Sequence, residues 1–225
     1  MKFNPIFSLI LSAFLLQSCS EDLLDKRPEA TDTQAVAEDA VKTKDDLKKL
    51  LISSYDVIAN LYGGQIQNLS ELLGDNVDAP ANQNDYIQVY TRRTDIFNGT
   101  IGGVYNNAYI TIYRANQLLF KKDDVADISD AEKTQLEAEA RFLRALCHHG
   151  LLRLFAQPSG YTSADSHLGL VLRMKYSQDA GLRSTVKECY EAIVDDLTFA
   201  EENLPANNGV YATKWSAKAL LARVY

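Results

Sequence analysis

The sequence holds little that could carry out chemistry. It has three histidines. His148 and His149 are adjacent, so on a helix they diverge and cannot share a metal ion in the i, i+4 manner. His167 stands apart, and no metal site is expected. Asp75 and Asp78 fall short of the carboxylate spacing of an EF-hand loop. Asp195 and Asp196 are consecutive on a helix and point different ways, which disfavours paired acid–base work. No glycine-rich phosphate loop and no nucleophile elbow occurs. The chain therefore reads as neither an enzyme nor a cofactor carrier. Basic residues are short as well: 23 Lys and Arg stand against 30 Asp and Glu, a formal net charge of −7. Without a basic cluster, nucleic acid is excluded as a partner. Surface charge also gives no attraction to anionic lipid headgroups.

What is present is an ordinary globular balance, 46% hydrophobic and 24% charged, in 225 residues. That is enough for one domain with a proper core, or for part of a larger one. The first 18 residues differ from the rest. Lys2 precedes the apolar run Ile6 to Leu16, too short to cross a bilayer but of signal-peptide length. The run ends in Leu16-Gln17-Ser18-Cys19, which resembles the bacterial lipobox, with Gln17 in place of the commoner small residue. The resemblance implies cleavage before Cys19 and lipidation of its thiol, a two-chain anchor that holds a protein stably on a membrane. Ser20-Glu21-Asp22 looks like the acidic export signal of Bacteroidetes lipoproteins bound for the outer face of the outer membrane. Residues 19–42 are polar and read as a tether.

From residue 43 onward the chain is patterned for helices. Thr43 is an N-cap followed by Asp45 and Asp46, and Leu47, Leu50, Leu51, Tyr55, Ile58 and Leu61 form a stripe that Gly63-Gly64 ends. A short helix follows from about Gln65 to Leu73. Asp75 to Gly103 has Pro80, three glycines and many Asn and Asp, so it reads as loop with one short element at Tyr86–Tyr90. A long helix is predicted from Val104 to Lys121, with Tyr105, Ala108, Tyr109, Ile112, Ala115 or Asn116, and Leu119 on its buried face. Ser129 and Glu132 form a capping box. It opens the central helix, apolar on several faces and therefore packed on more than one side, which Pro158 closes. Within it Glu137 precedes Arg141 by four residues, the favourable order for a helical ion pair. Arg144 and Arg153 are left to find carboxylates on a neighbour. Residues 159–183 are a long connection, extended near Leu168 to Leu172. Thr185 and Glu188 make another capping box, and the next helix runs to Pro205. Its Asp195, Asp196, Glu201 and Glu202 supply partners for Arg144 or Arg153. A last helix begins at Thr213, with Trp215 expected in its packing, and stops at Tyr225 in mid-pattern; continuation beyond this sequence is expected. Cys147 and Cys189 lie inside helices. Two buried thiols is the favoured reading, with a disulfide as the alternative in an exported protein.

Four runs in order, behind the lipobox, resemble the SusD/RagB family of outer-membrane nutrient-uptake lipoproteins. They are YNNAYITIYRAN at 105–116, EARFLRALCHHGLLRLFAQP at 139–158, STVKECYEAIVDDLTFAEENLP at 184–205 and YATKWSAKALLARVY at 211–225. The resemblance covers residues 16–225. It implies an all-α fold: a tetratricopeptide-like helical-pair scaffold with long irregular loops over residues 43–225. It implies a noncatalytic protein at the cell surface, lipid-anchored in the outer membrane. Such a protein captures a glycan or peptide nutrient and passes it to a TonB-dependent, SusC-like transporter. Members of the family are about twice as long. A lipid-anchored helical-repeat adaptor that binds only protein is the other reading.

Sugar binding needs aromatic faces for the apolar side of a ring and polar side chains for its hydroxyls. The segment 74–105 has both, and family ligands are often gripped by this region. The candidate ligand residues are Asp75, Asn76, Asp78, Tyr86, Tyr90, Asn98 and Tyr105. Many members carry a tryptophan where this chain has Tyr105.

Overall fold

The computed structural model describes residues 41–225 except Gln178. The leader at 1–18, Cys19 and the tether through residue 40 lie outside the described residues. Val41 is buried, so the packed part of the chain already includes a residue two positions before the predicted boundary at 43.

Among the described residues the chain forms seven α-helices. They are α1 (Lys44–Asn60), α2 (Ile66–Leu73), α3 (Asn84–Tyr90), α4 (Gly99–Lys121), α5 (Asp130–Phe155), α6 (Val186–Asn203) and α7 (Lys214–Val224). A π turn at Leu61–Gln65 joins α1 to α2. Gly63 and Gly64 leave helical geometry there, Gly64 at a φ of 139° that a side chain would resist. Among the described residues, paired extended structure is limited to one antiparallel bridge between Leu168 and Thr185, where the long connection runs beside the start of α6.

The helix starts follow from capping chemistry. Thr43, Ser129 and Thr185 each accept a hydrogen bond from the third helical N–H, while the acid at that position bonds back. Thr213 does the same with Ser216 at the head of α7. At α4 the sequence reading needs correction. The helix starts at Gly99, five residues before the predicted Val104. Two side chains hold this glycine-rich first turn. Asn98 Oδ1 accepts from the Ile101 N–H at 3.0 Å, and Asp85 Oδ2 from the Thr100 N–H at 2.9 Å. Glycine is permissive rather than forbidding, and two caps outweigh its entropic penalty. The short element at 86–90 is the helix α3, begun two residues earlier.

Helix α5 sits at the centre. Fourteen of its 26 residues are buried, and it packs against α1, α4, α6 and α7. Its neighbours α4 and α6 run antiparallel to it. On the α4 side, Lys122 Nζ lies 3.2 Å from Glu137, Asn116 bonds Arg144, and Tyr105 meets Phe155 at the far end. On the α6 side, the Arg141 guanidinium stacks 4.1 Å from the Phe199 ring centroid, and Arg144 pairs with Asp196. These antiparallel pairs make the chain an all-α, tetratricopeptide-like scaffold. Leu143, Leu151, Ile112, Ile193 and Leu197 fill its middle, each 1% exposed or less.

Two arginines have separate fates. Arg144 is 5% exposed and forms a bidentate pair with Asp196, at 2.8 Å through Nε and 2.7 Å through Nη2. Burial raises the Asp196 pKa, and the Arg144 hydrogen bonds oppose that rise. Arg153 was expected to find a carboxylate as well. It is exposed and forms no ion pair among the described residues; it lies near Tyr190 at the start of α6 and near His149. The predicted Glu137–Arg141 pair forms, at 3.1 Å. Trp215 is 56% exposed rather than packed: α7 turns Ala217, Leu220 and Leu221 inward, and Trp215 projects outside that face with the Lys214 ammonium 4.7 Å from its ring centroid. Cys147 and Cys189 are free and buried.

Candidate functional site

The loop after α2 begins with a left-handed turn. Gly74 caps α2, and Asp75 has a φ of 56°. Its carboxylate pairs with Arg92 at 2.8 Å, and Arg92 Nη2 also donates to the Leu73 carbonyl at 2.9 Å. Arg92 is itself left-handed, with a φ of 55°, at the end of α3. Asp78 accepts from the Tyr90 hydroxyl, and that bond raises the tyrosine pKa. Asn76 Nδ2 donates to Glu71 at 2.8 Å. Asp75, Asn76, Asp78 and Tyr90 thus form one solvent-facing polar group around α3. Tyr86 is half-buried against the core.

Asn98, another of the candidate ligand residues, stands apart from that polar group. It is 4% exposed, and its hydrogen-bonding capacity is spent on the protein. Besides capping α4, its amide donates to the Asp85 carbonyl at 3.0 Å and to Gln88 Oε1 at 2.9 Å. Its role is to join α3 to α4. Nearby Ile96 and Phe97 are 92% and 85% exposed, which makes the turn before α4 an apolar knuckle.

Tyr105 belongs to a second group. It was placed on the buried face of α4, but Val104 takes that position and Tyr105 is 36% exposed. Its ring lies 4.7 Å from Tyr109 and 5.2 Å, edge-on, from Phe155. Tyr105, Tyr109 and Tyr113 succeed one another at i+4, so they line one strip of the helix. That strip is one wall of a cavity of about 560 Å³, the largest described, within the roughly 300–1,000 Å³ of small-molecule sites. The opposite wall is the connection from Val171 to Gly181, including Arg173 and Lys175. The Tyr109 hydroxyl donates to the Val171 carbonyl at 3.0 Å, and that of Tyr113 to the Tyr176 hydroxyl at 3.1 Å. Burial raises the Tyr109 pKa, so the phenol remains a neutral donor. Phe120 stacks on Tyr176, 5.5 Å between centroids, and extends the aromatic wall.

The connection carries no helix of its own along this wall; the scaffold positions it. Arg144 Nη1 donates to Asn116 Oδ1 at 2.6 Å and to the Met174 carbonyl at 3.1 Å. Asn116 Nδ2 donates to the Arg173 carbonyl at 2.9 Å. The Arg173 N–H points to His148 Nε2 at 3.4 Å. His148 must therefore be neutral. Burial, with Arg144 beside it, lowers its pKa to about 3. His149 is lowered to about 4, by burial first and then by Arg153 and Arg223. Among the described residues no three His, Cys, Asp or Glu side chains come together as metal ligands.

The predicted residues thus fall into two groups, one around Asp75 and Tyr90 and one at Tyr105. A hollow of about 290 Å³, lined by Arg92, Thr94, Ile101 and Phe155, lies between them. Sequence reasoning missed Arg173 and Lys175. Their alternation with Val171 in an extended segment was the available signal, since alternate residues share a side. It also read Tyr109 as core, although the i+4 series from Tyr105 to Tyr113 marked a continuous aromatic strip.

Relatives bear on this arrangement. The sequence pattern of the SusD-like family described as starch-binding and associating with the outer membrane matches residues 22–225. A SusD-like protein of Bacteroides ovatus is 25% identical over 99% of the chain, which spans 39% of that relative. A SusD superfamily crystal structure from Bacteroides thetaiotaomicron superposes with a TM-score of 0.71 at 26% identity, over 81% of this chain and 42% of that one. A laminarin-binding SusD-like protein shares the fold at a TM-score of 0.64 and 21% identity, over 82% of this chain and 40% of that one. The chain spans about two fifths of the length of these relatives. With the match running from residue 22 to residue 225, the chain belongs to the SusD-like family.

Proposed function

We propose that the chain is part of a noncatalytic cell-surface lipoprotein, anchored through Cys19 in the outer membrane. It captures a glycan and delivers it to a TonB-dependent, SusC-like transporter. The observation that carries glycan capture is the open cavity walled by Tyr105, Tyr109 and Tyr113. Tyrosine rings offer the flat apolar faces on which a pyranose stacks, and Asn116 and Arg173 beside them offer hydrogen-bonding groups. Asp75, Asn76, Asp78 and Tyr90 form a polar rim beyond Phe155 for further sugar units, with Tyr86 behind them. Family membership and the laminarin-binding neighbour support the same reading. Starch, laminarin or a peptide each remain within it; the cavity argues for a ligand with stackable rings.

Isothermal titration of the full-length protein without its leader, against starch, laminarin and xyloglucan oligosaccharides and against peptides, tests this function. Binding is expected to at least one glycan and to weaken about tenfold or more in Tyr105→Ala, since a stacked aromatic contributes roughly 1–3 kcal/mol. No binding to any member of the panel, with no barrel co-purifying from membranes, would refute it. The anchor has its own test: palmitate labelling should vanish in Cys19→Ala.

A further inference from the structure

We propose that the cavity between α4 and residues 171–181 selects a glycan bearing negative charge, a uronate or sulfate group, over a neutral one. This rests on the glycan-capture reading above and adds the ligand class.

The chain has a net charge of −7, yet among the described lining residues of this cavity there is no carboxylate. Two cations, Arg173 and Lys175, are there instead. Neither forms an ion pair with the described residues. Arg173 is fixed rather than loose. Its N–H and C=O are bonded to His148 and Asn116, and its Nη1 donates to the Asp179 carbonyl. The Asp179 carboxylate accepts from the Ser177 hydroxyl at 2.6 Å, and the Asp179 N–H donates to the Ser177 oxygen at 3.0 Å; the guanidinium meets the Asp179 carbonyl instead. Among the described residues nothing accepts from Nε or Nη2 of Arg173, a pair of donors suited to two oxygens of one anion.

The position of that guanidinium depends on Gly181. A Cβ there would stand 2.6 Å from Val171 Cγ1 and 3.3 Å from Arg173 Cζ. Glycine lets the guanidinium lie against the loop backbone and face the cavity. Lys175, two residues on in the extended segment, adds a second charge on the same side. A neutral sugar entering this space would strip water from two cations and return neutral hydrogen bonds. An anionic sugar returns charge-assisted bonds, which are about twice as strong. The tyrosine strip then supplies ring stacking for either ligand, so charge decides the preference.

The experiment is isothermal titration of the full-length, leaderless protein with size-matched oligogalacturonate, sulfated galactan and neutral laminarin oligosaccharides. At least one acidic ligand should bind about tenfold or more tightly than the neutral one at low salt, and the advantage should shrink as salt screens the charges. Lys175→Gln, at an exposed position, should remove most of the preference. Gly181→Ala should lower it too, by displacing Arg173. The uronate and sulfate arms identify which anion is taken. Equal or tighter binding of neutral laminarin overturns the inference while leaving glycan capture intact. An acidic preference that survives both Lys175→Gln and Arg173→Gln also overturns it, since the anion must then sit elsewhere. Failure of every glycan to bind refutes the underlying function as well.

Discussion

Acid should destabilise this scaffold through two buried histidines. His148 is 1% exposed and His149 5%, both in the middle of α5. Their folded pKa values are about 3 and about 4, against 6.5 for the free side chain. A depressed histidine pKa means that the unfolded chain binds a proton that the folded chain refuses. Stability is therefore full above pH 6.5 and is lost as pH falls toward the folded values. At about pH 5 each histidine gives the unfolded state an advantage of about 2 kcal/mol, or about 4 kcal/mol together. That is a large share of the roughly 5–15 kcal/mol that keeps a domain folded. Asp196 acts in the opposite sense, because its raised pKa lets the folded chain hold a proton that the unfolded chain has released above pH 3.8. The lowered carboxylates Asp46, Glu132, Asp165 and Glu188 act with the histidines, but they are solvent-screened and titrate at lower pH. Urea denaturation followed by circular dichroism at about pH 7.5 and about pH 5 reads the difference. The native protein should lose several kcal/mol between the two, and His148→Gln with His149→Gln should flatten the dependence even if it lowers stability overall. A native loss below about 1 kcal/mol, or an unchanged slope in the double variant, would refute the reasoning.

Three further outcomes follow from the packing. Asp196→Ala strands the Arg144 charge in the core and should cost about 3–5 kcal/mol in urea, whereas Arg144→Met combined with Asp196→Leu should recover most of it. Equal losses in the single and double variants would show that the pair is not the unit. Gly150→Ala would set a Cβ 2.7 Å from the Tyr62 hydroxyl, which bonds the Leu146 carbonyl at 2.8 Å, and should cost about 1–3 kcal/mol in thermal or urea melts. A melt unchanged from the native protein would count against that contact. Cys147 and Cys189 are each 0% exposed, and burial pushes the Cys147 thiol up to about 12. A thiol reagent should leave both untouched in the native protein and label both on unfolding; rapid native labelling would contradict the burial.

Much of the scaffold was readable because its signals are local. A serine or threonine and an acid three residues on announced α5 and α6 directly, and each box closes as the spacing demands. The Arg144–Asp196 pair could be anticipated because a charge on an otherwise apolar helix needs a partner. The errors arose where distant residues decide. The start of α4 depends on Asp85, a residue of the preceding helix, so Gly99, Gly102 and Gly103 looked like loop. At the start of α4 Val104 is buried and Tyr105 exposed, while Ala108 and Ile112 are buried as expected; which residue at the helix's edge is covered depends on neighbouring helices and is invisible to periodicity alone. The cavity was least legible. Half of its lining comes from an irregular connection whose path is fixed by Asn116, Arg144 and His148 on two other helices.

Those three side chains hold the connection by its main chain: the carbonyls of Arg173 and Met174 and the amide of Arg173. No side chain between 173 and 176 is required for that grip. The scaffold therefore presents a fixed backbone shelf whose outward residues can be exchanged without refolding what lies behind them. Specificity can drift along the shelf, one substitution at a time, while the buried clamp stays the same.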